Sequence, residues 1–285
     1  MPRFGAHLSI AGGTDRAVAR AVEVGAECLQ LFVKSPSQWR FAPLADAEVR
    51  RFRAAAKGAD LRPLVGHASY LVNLASPDDR LLERSRRCLL AEWDRAERLG
   101  LIGLVVHPGA HMGAGEAAGL ERIARSLDWL HERRPHHASR ILLETTAGAG
   151  TVLGGRFEHL GHLVRATEAG GRLGLAIDTC HLWAAGYDLR TRAALDETLG
   201  RLDEAANLAR LAVVHVNDAK GERGSRLDRH EHIGRGKLGR EAFRALVRHP
   251  ALAALPFILE TPKEDARGRR MDPVNLRTLR RLAAG

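Results

Sequence analysis

The chain has 285 residues, 45% of them apolar, which is enough for one large α/β core and shows none of the low-complexity tracts that mark disorder. Lys and Arg number 44 against 34 Asp and Glu, and this net charge of +10 suits a polyanionic partner as well as it suits an arginine-rich composition. No apolar run reaches the roughly twenty residues of a membrane span, no signal-peptide core stands at the amino terminus, and three cysteines make no disulfide framework, so a cytoplasmic protein is expected.

Arg3–Ser9 reads as a first strand, ended by Ala11-Gly12-Gly13, and Thr14 opens a helix with Ala17, Val18, Ala21 and Val22 on its apolar face. Cys28–Val33 is a second strand, followed by a polar, basic loop from Lys34 to Arg40. Asp46–Lys57 is helical, and Arg62–Gly66 is a third strand that stops at His67. Asp79–Leu99 carries Leu82, Cys88, Leu89, Trp93 and Ala96 at helical spacing. Gly103–Val106 stops at His107, a helix follows at Leu120–Glu132, and Arg140–Leu143 stops at Glu144. Phe157–Glu168 is helical, Leu173–Ile177 stops at Asp178, and Leu195–Ala209 precedes a strand that stops at His215. Arg240–Arg248, a strand Pro256–Leu259 stopping at Glu260, and a helix Pro273–Ala283 close the chain. Short apolar strands alternating with amphipathic helices indicate a parallel sheet covered by helices. Eight such units indicate one α/β domain over residues 1–285, a (β/α)8 TIM barrel whose site lies at the carboxyl ends of its strands.

Six apolar runs therefore end in His67, His107, Glu144, Asp178, His215 and Glu260, and a barrel brings all six to one rim. His181 and the pair Asp228 and His230 join them. A lone histidine at a strand end is usually a hydrogen-bonded rim residue, but successive rim positions carrying ligand chemistry are hard to obtain from packing alone. Five histidines and four carboxylates exceed the three or four ligands of one zinc, so two or three ions are expected. Buried carboxylates this close would repel one another unless cations sat between them. Adjacent divalent ions clamp the oxygens of an in-line displacement at phosphorus, which with the basic surface points to phosphodiester hydrolysis in a nucleic acid. The same rim could bind a sugar for isomerisation or epimerisation, and a non-catalytic nucleic-acid-binding barrel with a structural metal is a third possibility. Composition does not choose between His230 and His232.

The segments Gly5-Ala6-His7-Leu8-Ser9, His67-Ala68-Ser69-Tyr70-Leu71, His107-Pro108-Gly109-Ala110-His111, Asp178-Thr179-Cys180-His181, His215-Val216-Asn217-Asp218, Gly224-Ser225-Arg226-Leu227-Asp228-Arg229-His230 and Leu259-Glu260-Thr261 resemble those of the endonuclease IV family. The matches run in the family's order from the first strand to the last. The resemblance implies three zinc ions and cleavage of duplex DNA on the 5′ side of an abasic site, leaving a 3′-hydroxyl and a 5′-deoxyribose phosphate. Trimming of blocked 3′ ends by a monomeric enzyme is implied as well. By position His67, His107 and Glu144 hold the first ion. Glu144, Asp178, His215 and Glu260 hold the second, and His181, Asp228 and His230 the third. Glu144 and Glu260 are the catalytic carboxylates, and His7 and His111 stand beside the ligands. Tyr70 and Leu71 match the family's wedge into the DNA stack. Gln38, Trp39, Lys34, Arg40, Arg226 and Arg229 complete the expected DNA contacts. Family members often carry an arginine where this chain has Ser37, and Gln38 with Lys34 or Arg40 is expected to replace its contacts.

Overall fold

The computed structural model describes residues 2–284. Eight strands make up a closed barrel: β1 (Arg3–His7), β2 (Cys28–Phe32), β3 (Leu64–His67), β4 (Gly103–Val106), β5 (Arg140–Glu144), β6 (Gly174–Asp178), β7 (Leu211–His215) and β8 (Pro256–Leu259). Each is parallel to its neighbours in chain order, and β1 pairs with β8 to close the ring. The helices α1 (Thr14–Val24), α2 (Asp46–Gly58), α3 (Asp79–Leu99), α4 (Glu116–Arg133), α5 (Phe157–Ala166), α7 (Arg192–Ala206), α8 (Gly239–Val247) and α9 (Asp272–Ala284) follow the eight strands in turn, and a short α6 (Thr179–Ala185) is inserted after β6. The (β/α)8 barrel expected from the sequence is the observed fold.

Local chemistry explains most boundaries. In α3 the Asp78 carboxylate accepts the Leu81 N–H at the start, and Gly100, at φ 76°, ends the helix in the left-handed conformation that glycine adopts without strain. Between them Leu82, Leu89, Trp93 and Ala96 recur at helical spacing and are buried. Helix α4 begins at Glu116, ahead of the predicted Leu120, because its first turn is small and polar and carries no apolar signal. Helix α6 was not expected at all, since six of its seven residues are buried and a helix covered all round shows no amphipathic period. No helix among the described residues is long and apolar enough to cross a membrane.

The core has two layers. The larger lies between strands and helices, with Phe52, Trp93, Phe157 and Phe243 among its largest fully buried side chains. The smaller fills the barrel itself with Cys28, Val65, Val105, Leu142, Ala176, Val213 and Ile258. Strand β1 contributes Gly5 at this level, where a Cβ would sit 2.0 Å from the Cys28 carbonyl oxygen. Only glycine lets the two strands approach so closely.

Candidate metal centre

Side chains two residues apart on a strand face the same side of the sheet. One step beyond the apolar layer inside the barrel, that alternation turns His7, Gln30, His67, His107, Glu144, Asp178, His215 and Glu260 inward. The six expected rim residues are therefore part of a ring of eight, with His7 on β1 and Gln30 on β2 completing it. Two further pieces rise above this ring. Helix α6 supplies His181, and a two-residue ribbon pairing Asp218–Ala219 with His230–Glu231 folds the intervening loop back so that Asp228 and His230 face the ring.

Glu144 lies at the centre and is fully buried. Its Oε2 is 3.2 Å from His67 Nε2 and 2.9 Å from His107 Nε2, and its Oε1 is 2.7 Å from His215 Nδ1. His215 Nδ1 also stands 3.3 Å from Glu260 Oε2. Above them Asp228 is 3.3 Å from His181 Nε2 and 3.4 Å from His230 Nε2, while His230 Nε2 is 3.6 Å from Asp178 Oδ2. Donor atoms within 4.8 Å of one another fall into groups with the chemistry of divalent-cation sites: His67, His107 and Glu144; then Glu144, Asp178, His215 and Glu260; then Asp178, His181 and His230. Glu144 belongs to two of these groups and Asp178 to two, so the three are linked. A fourth group, Cys180, Asp228 and His230, shares His230 with the third.

The histidines are oriented for ligation. His67 Nδ1 donates to the Ala68 carbonyl at 2.7 Å, His181 Nδ1 to the Thr145 carbonyl at 2.8 Å, and His230 Nδ1 to the Glu260 carbonyl at 3.1 Å. A carbonyl only accepts, so in each ring Nε2 is the nitrogen turned to the site. His230 Nε2 is buried without a hydrogen-bond partner among the described residues, as a ligand atom would be. The donor set fits divalent cations.

Electrostatics agree. Burial would raise the Glu144 carboxyl, but the neighbouring His215 and His107 hold it well below the usual carboxylate range. Burial would lower His215, yet the charges of Glu260 and Glu144 raise it to about 9. His181 is raised well above the ordinary histidine value against its own burial, chiefly by Asp178 and Asp228. The buried charges are thus paired across the site, where incoming cations would replace protons. His7 differs: burial outweighs Glu260 and lowers it to about 4.

Three residues that hold the site in place were missed by the sequence reading. Gln30 Nε2 donates to Glu260 Oε1 at 2.6 Å, and its Oε1 accepts from His215 Nε2 at 2.7 Å. Asn217 Nδ2 donates to Asp178 Oδ2 at 2.6 Å while its Oδ1 accepts the Glu260 N–H at 2.8 Å. Thr145 Oγ1 accepts the Asp178 N–H at 3.0 Å. A glutamine in the middle of Cys28-Leu29-Gln30-Leu31-Phe32 was the available signal for the first of these. Gln30→Leu should weaken the second ion group about 10- to 100-fold, because His215 and Glu260 both lose their orienting partner. Competitive metal titration of the purified variant measures this, and unchanged affinity would remove Gln30 from the site.

A cavity of about 610 Å³ opens over the ring, walled by His67, His107, His181, His230 and Glu260, with Tyr70 and Arg229 at its edge. Tyr70 is 73% exposed, its ring set edge-on to Phe32 at 5.2 Å, and Leu71 beside it is half-buried. Gln38, Arg40, Arg226 and Arg229 are exposed. Trp39 is half-buried against the core and covered by the Arg84 guanidinium at 4.3 Å. Lys34 corrects an expectation. Its side chain is 2% exposed and paired with Glu92 at 3.0 Å, so it points into the protein and presents nothing to a partner. His111 accepts the Gly115 N–H at Nδ1 and is not among the described residues lining the cavity. His232 turns to Asn275, 3.3 Å away, which leaves His230 as the histidine facing the ring. Cys180 lies near Asp228 and His230, but burial and then the Asp178 charge push its thiol up, away from thiolate ligation.

The family described as xylose isomerase-like TIM barrel matches residues 18–281. The probable endonuclease 4 of Chloroflexus aggregans is 46% identical over 285 residues and is covered, like this chain, in full. That of Methanoculleus marisnigri is 44% identical over 99% of each chain. Endonuclease IV from Thermus thermophilus superposes with a TM-score of 0.86 at 39% identity, covering 99% of this chain and 98% of that one. The chain belongs to the endonuclease IV family. A D-tagatose 3-epimerase-like protein superposes at a TM-score of 0.73 with 19% identity, which shows a shared barrel fold. The fold alone therefore does not select a chemistry; the side chains at the rim do.

Proposed function

We propose that the protein is a zinc-dependent endonuclease that hydrolyses the phosphodiester 5′ to an abasic site in duplex DNA, leaving a 3′-hydroxyl and a 5′-deoxyribose phosphate, and that it also trims blocked 3′ ends. The observation that carries this reading is the linkage of three ligand groups through Glu144 and Asp178 beneath one open cavity. His67, His107 and Glu144 would hold the first ion; Glu144, Asp178, His215 and Glu260 the second; His181 and His230, grouped with Asp178 and flanked by Asp228, the third. When bound, such ions supply Lewis acidity, neutralising charge on the phosphate and lowering the pKa of water.

The chain's own residues do the rest. Three divalent ions carry roughly +6 against four carboxylates, so the assembled site keeps the positive balance that a phosphodiester needs. Glu260, braced by Gln30 and His7, can accept a hydrogen bond from the attacking water and aim it. Arg226 and Arg229, exposed beside the third group, are placed to hold DNA phosphates. Tyr70 stands out over the cavity as an apolar wedge, with Leu71 behind it. With Lys34 turned inward, Gln38 and Arg40 are the residues of that loop left to fill the space opposite Ser37. Every residue named in the cleft comes from one chain, which supports action as a monomer, and a cytoplasmic location is part of the same proposal.

A sugar epimerase on the same barrel has no use for the Asp228–His230 loop or for an exposed tyrosine over the site. Metal analysis combined with incision of a duplex carrying one abasic analogue separates the two. Three zincs and a nick 5′ to the lesion are expected. Intact DNA at full metal loading would defeat the proposal.

A further inference from the structure

Lys34 and Glu92 are 3% and 0% exposed, and together they form an ion pair outside the metal centre. Lys34 Nζ lies 3.0 Å from Glu92 Oε1 as an ion pair and donates hydrogen bonds to the Ser35 carbonyl at 3.0 Å and to the Gln38 carbonyl at 2.8 Å. Glu92 also accepts the Ser69 N–H at 2.8 Å, the Ser69 hydroxyl at 2.7 Å and the Cys88 thiol at 3.2 Å. One buried carboxylate on α3 thus ties together two loops that reach the mouth of the cavity. The first loop is wrapped around the Lys34 ammonium and presents Gln38. The second has Ser69 clamped immediately before the exposed Tyr70.

Stability alone does not account for such a pair, because a well-packed apolar pair of similar volume is usually as stable or more so. Geometry does account for it. Tyr70 also packs edge-on against Phe32, the last residue of the strand that leads into the Lys34 loop. Farther along the second loop, Asn73 is pinned to Ala110 by hydrogen bonds of 2.9 Å in each direction, and its backbone N–H donates to the Ser85 hydroxyl at 3.0 Å. Tyr70 therefore sits between two fixed points, with its aim set by the nearer one.

We propose that the Lys34–Glu92–Ser69 network is the positioning element for lesion recognition: it sets the separation and aim of Gln38 and Tyr70, and acts on DNA only through them. This rests on abasic DNA being the substrate. Its consequence is specific. Loosening the network should reduce discrimination between abasic and intact duplex while leaving the metal centre loaded, since no member of the network is a ligand.

The test uses the full-length, zinc-loaded protein and two variants. K34M/E92Q removes both charges together, leaving no unpaired buried ion, and keeps an acceptor for the Ser69 N–H. Ser69→Ala removes only the hydroxyl that serves Glu92. Binding constants are measured for one duplex with a tetrahydrofuran abasic analogue and for the same duplex intact, alongside zinc content and thermal melting. The double variant should bind the lesion at least tenfold more weakly, with intact-duplex affinity within twofold of wild type and three zincs retained. Ser69→Ala should lose about threefold, and nothing further in a Tyr70→Ala background, an interdependence that a general loss of stability would not produce. If the double variant does not fold, Ser69→Ala carries the test. Wild-type discrimination retained by the folded, zinc-loaded variants overturns this inference alone. A wild-type protein that does not discriminate overturns the proposed substrate and this inference with it.

Discussion

Glu144→Gln should lower incision of an abasic duplex by about 10³-fold or more, the scale expected when a group stabilising the reacting phosphate is lost. Glu144 is the carboxylate shared by the first two ligand groups and lies within 3.2 Å of His67, His107 and His215. The amide keeps the volume, so the barrel packing is undisturbed, but it offers one acceptor where two charged oxygens stood. Its NH2 would face histidine nitrogens that are turned to the site as ligands. Two ions lose a ligand from one substitution, so zinc content should fall below three per chain as the rate falls. Glu260→Gln touches the second group alone and should leave the first loaded. Metal analysis and single-turnover incision on the same preparation check both. Near-normal turnover of Glu144→Gln with three zincs bound would mean that Glu144 is not the shared ligand.

The barrel was legible because short apolar runs and period-3.6 faces alternate cleanly, and the strand ends were legible because a charged or imidazole side chain closes six of the eight apolar runs. The structure shows why the second signal works. The apolar side chain two residues earlier, such as Val65 before His67 or Leu142 before Glu144, fixes which face the ligand takes. The same rule would have singled out Gln30 two residues after Cys28 and His7 two after Gly5 as ring members. Gln30 was passed over because it lies inside its strand and not at the end. The rest was not legible because it depends on contacts between loops remote in sequence. Lys34 reads as a surface cation in Lys34-Ser35-Pro36, and only its partner Glu92, fifty-eight residues on and itself unremarkable in a helix, turns it inward. Trp39 reads as a DNA contact until Arg84 on α3 covers it.

In this chain the Asp228–His230 loop follows β7 and the Tyr70 loop follows β3, so both reach the carboxyl-end rim where the ring of ligands lies. His181 depends on α6, whose start is capped by Asp178: its carboxylate accepts the His181 N–H at 2.9 Å through Oδ1. The same carboxylate has its Oδ2 3.6 Å from His230. One aspartate therefore ends a barrel strand, begins the helix that supplies a third-group ligand, and links the second ion group to the third.

Removing the metal should destabilise the fold strongly and make its stability depend on pH. Ions that bind the folded chain and not the unfolded one stabilise it by about 4 kcal/mol each at a thousandfold excess over Kd. Three such ions amount to on the order of 10 kcal/mol, which for a chain of this size lowers the melting temperature by roughly 20 °C on chelation. In the chelated protein, protons and buried ion pairs take over. His215, at about 9 in the fold against 6.5 ordinarily, contributes stability that is fully present below pH 6.5 and is lost as pH rises toward 9. His181, also raised, acts in the same direction. Glu144 and Glu260, both held well below 4.5, contribute stability that is present above that value and lost as the solution is acidified further. His7, lowered to about 4 in the fold, takes away stability as pH falls below 6.5, so the chelated protein should be most stable near pH 6.5. The gap between metal-loaded and chelated melting temperatures should widen from pH 6.5 to 9, because the ions replace those protons and bind more tightly as they leave. Thermal melts at these two pH values, with and without a chelator, measure the gap. A chelated protein that melts with the loaded one, or that gains stability over this interval, would contradict the assignment of the buried histidines as ligands.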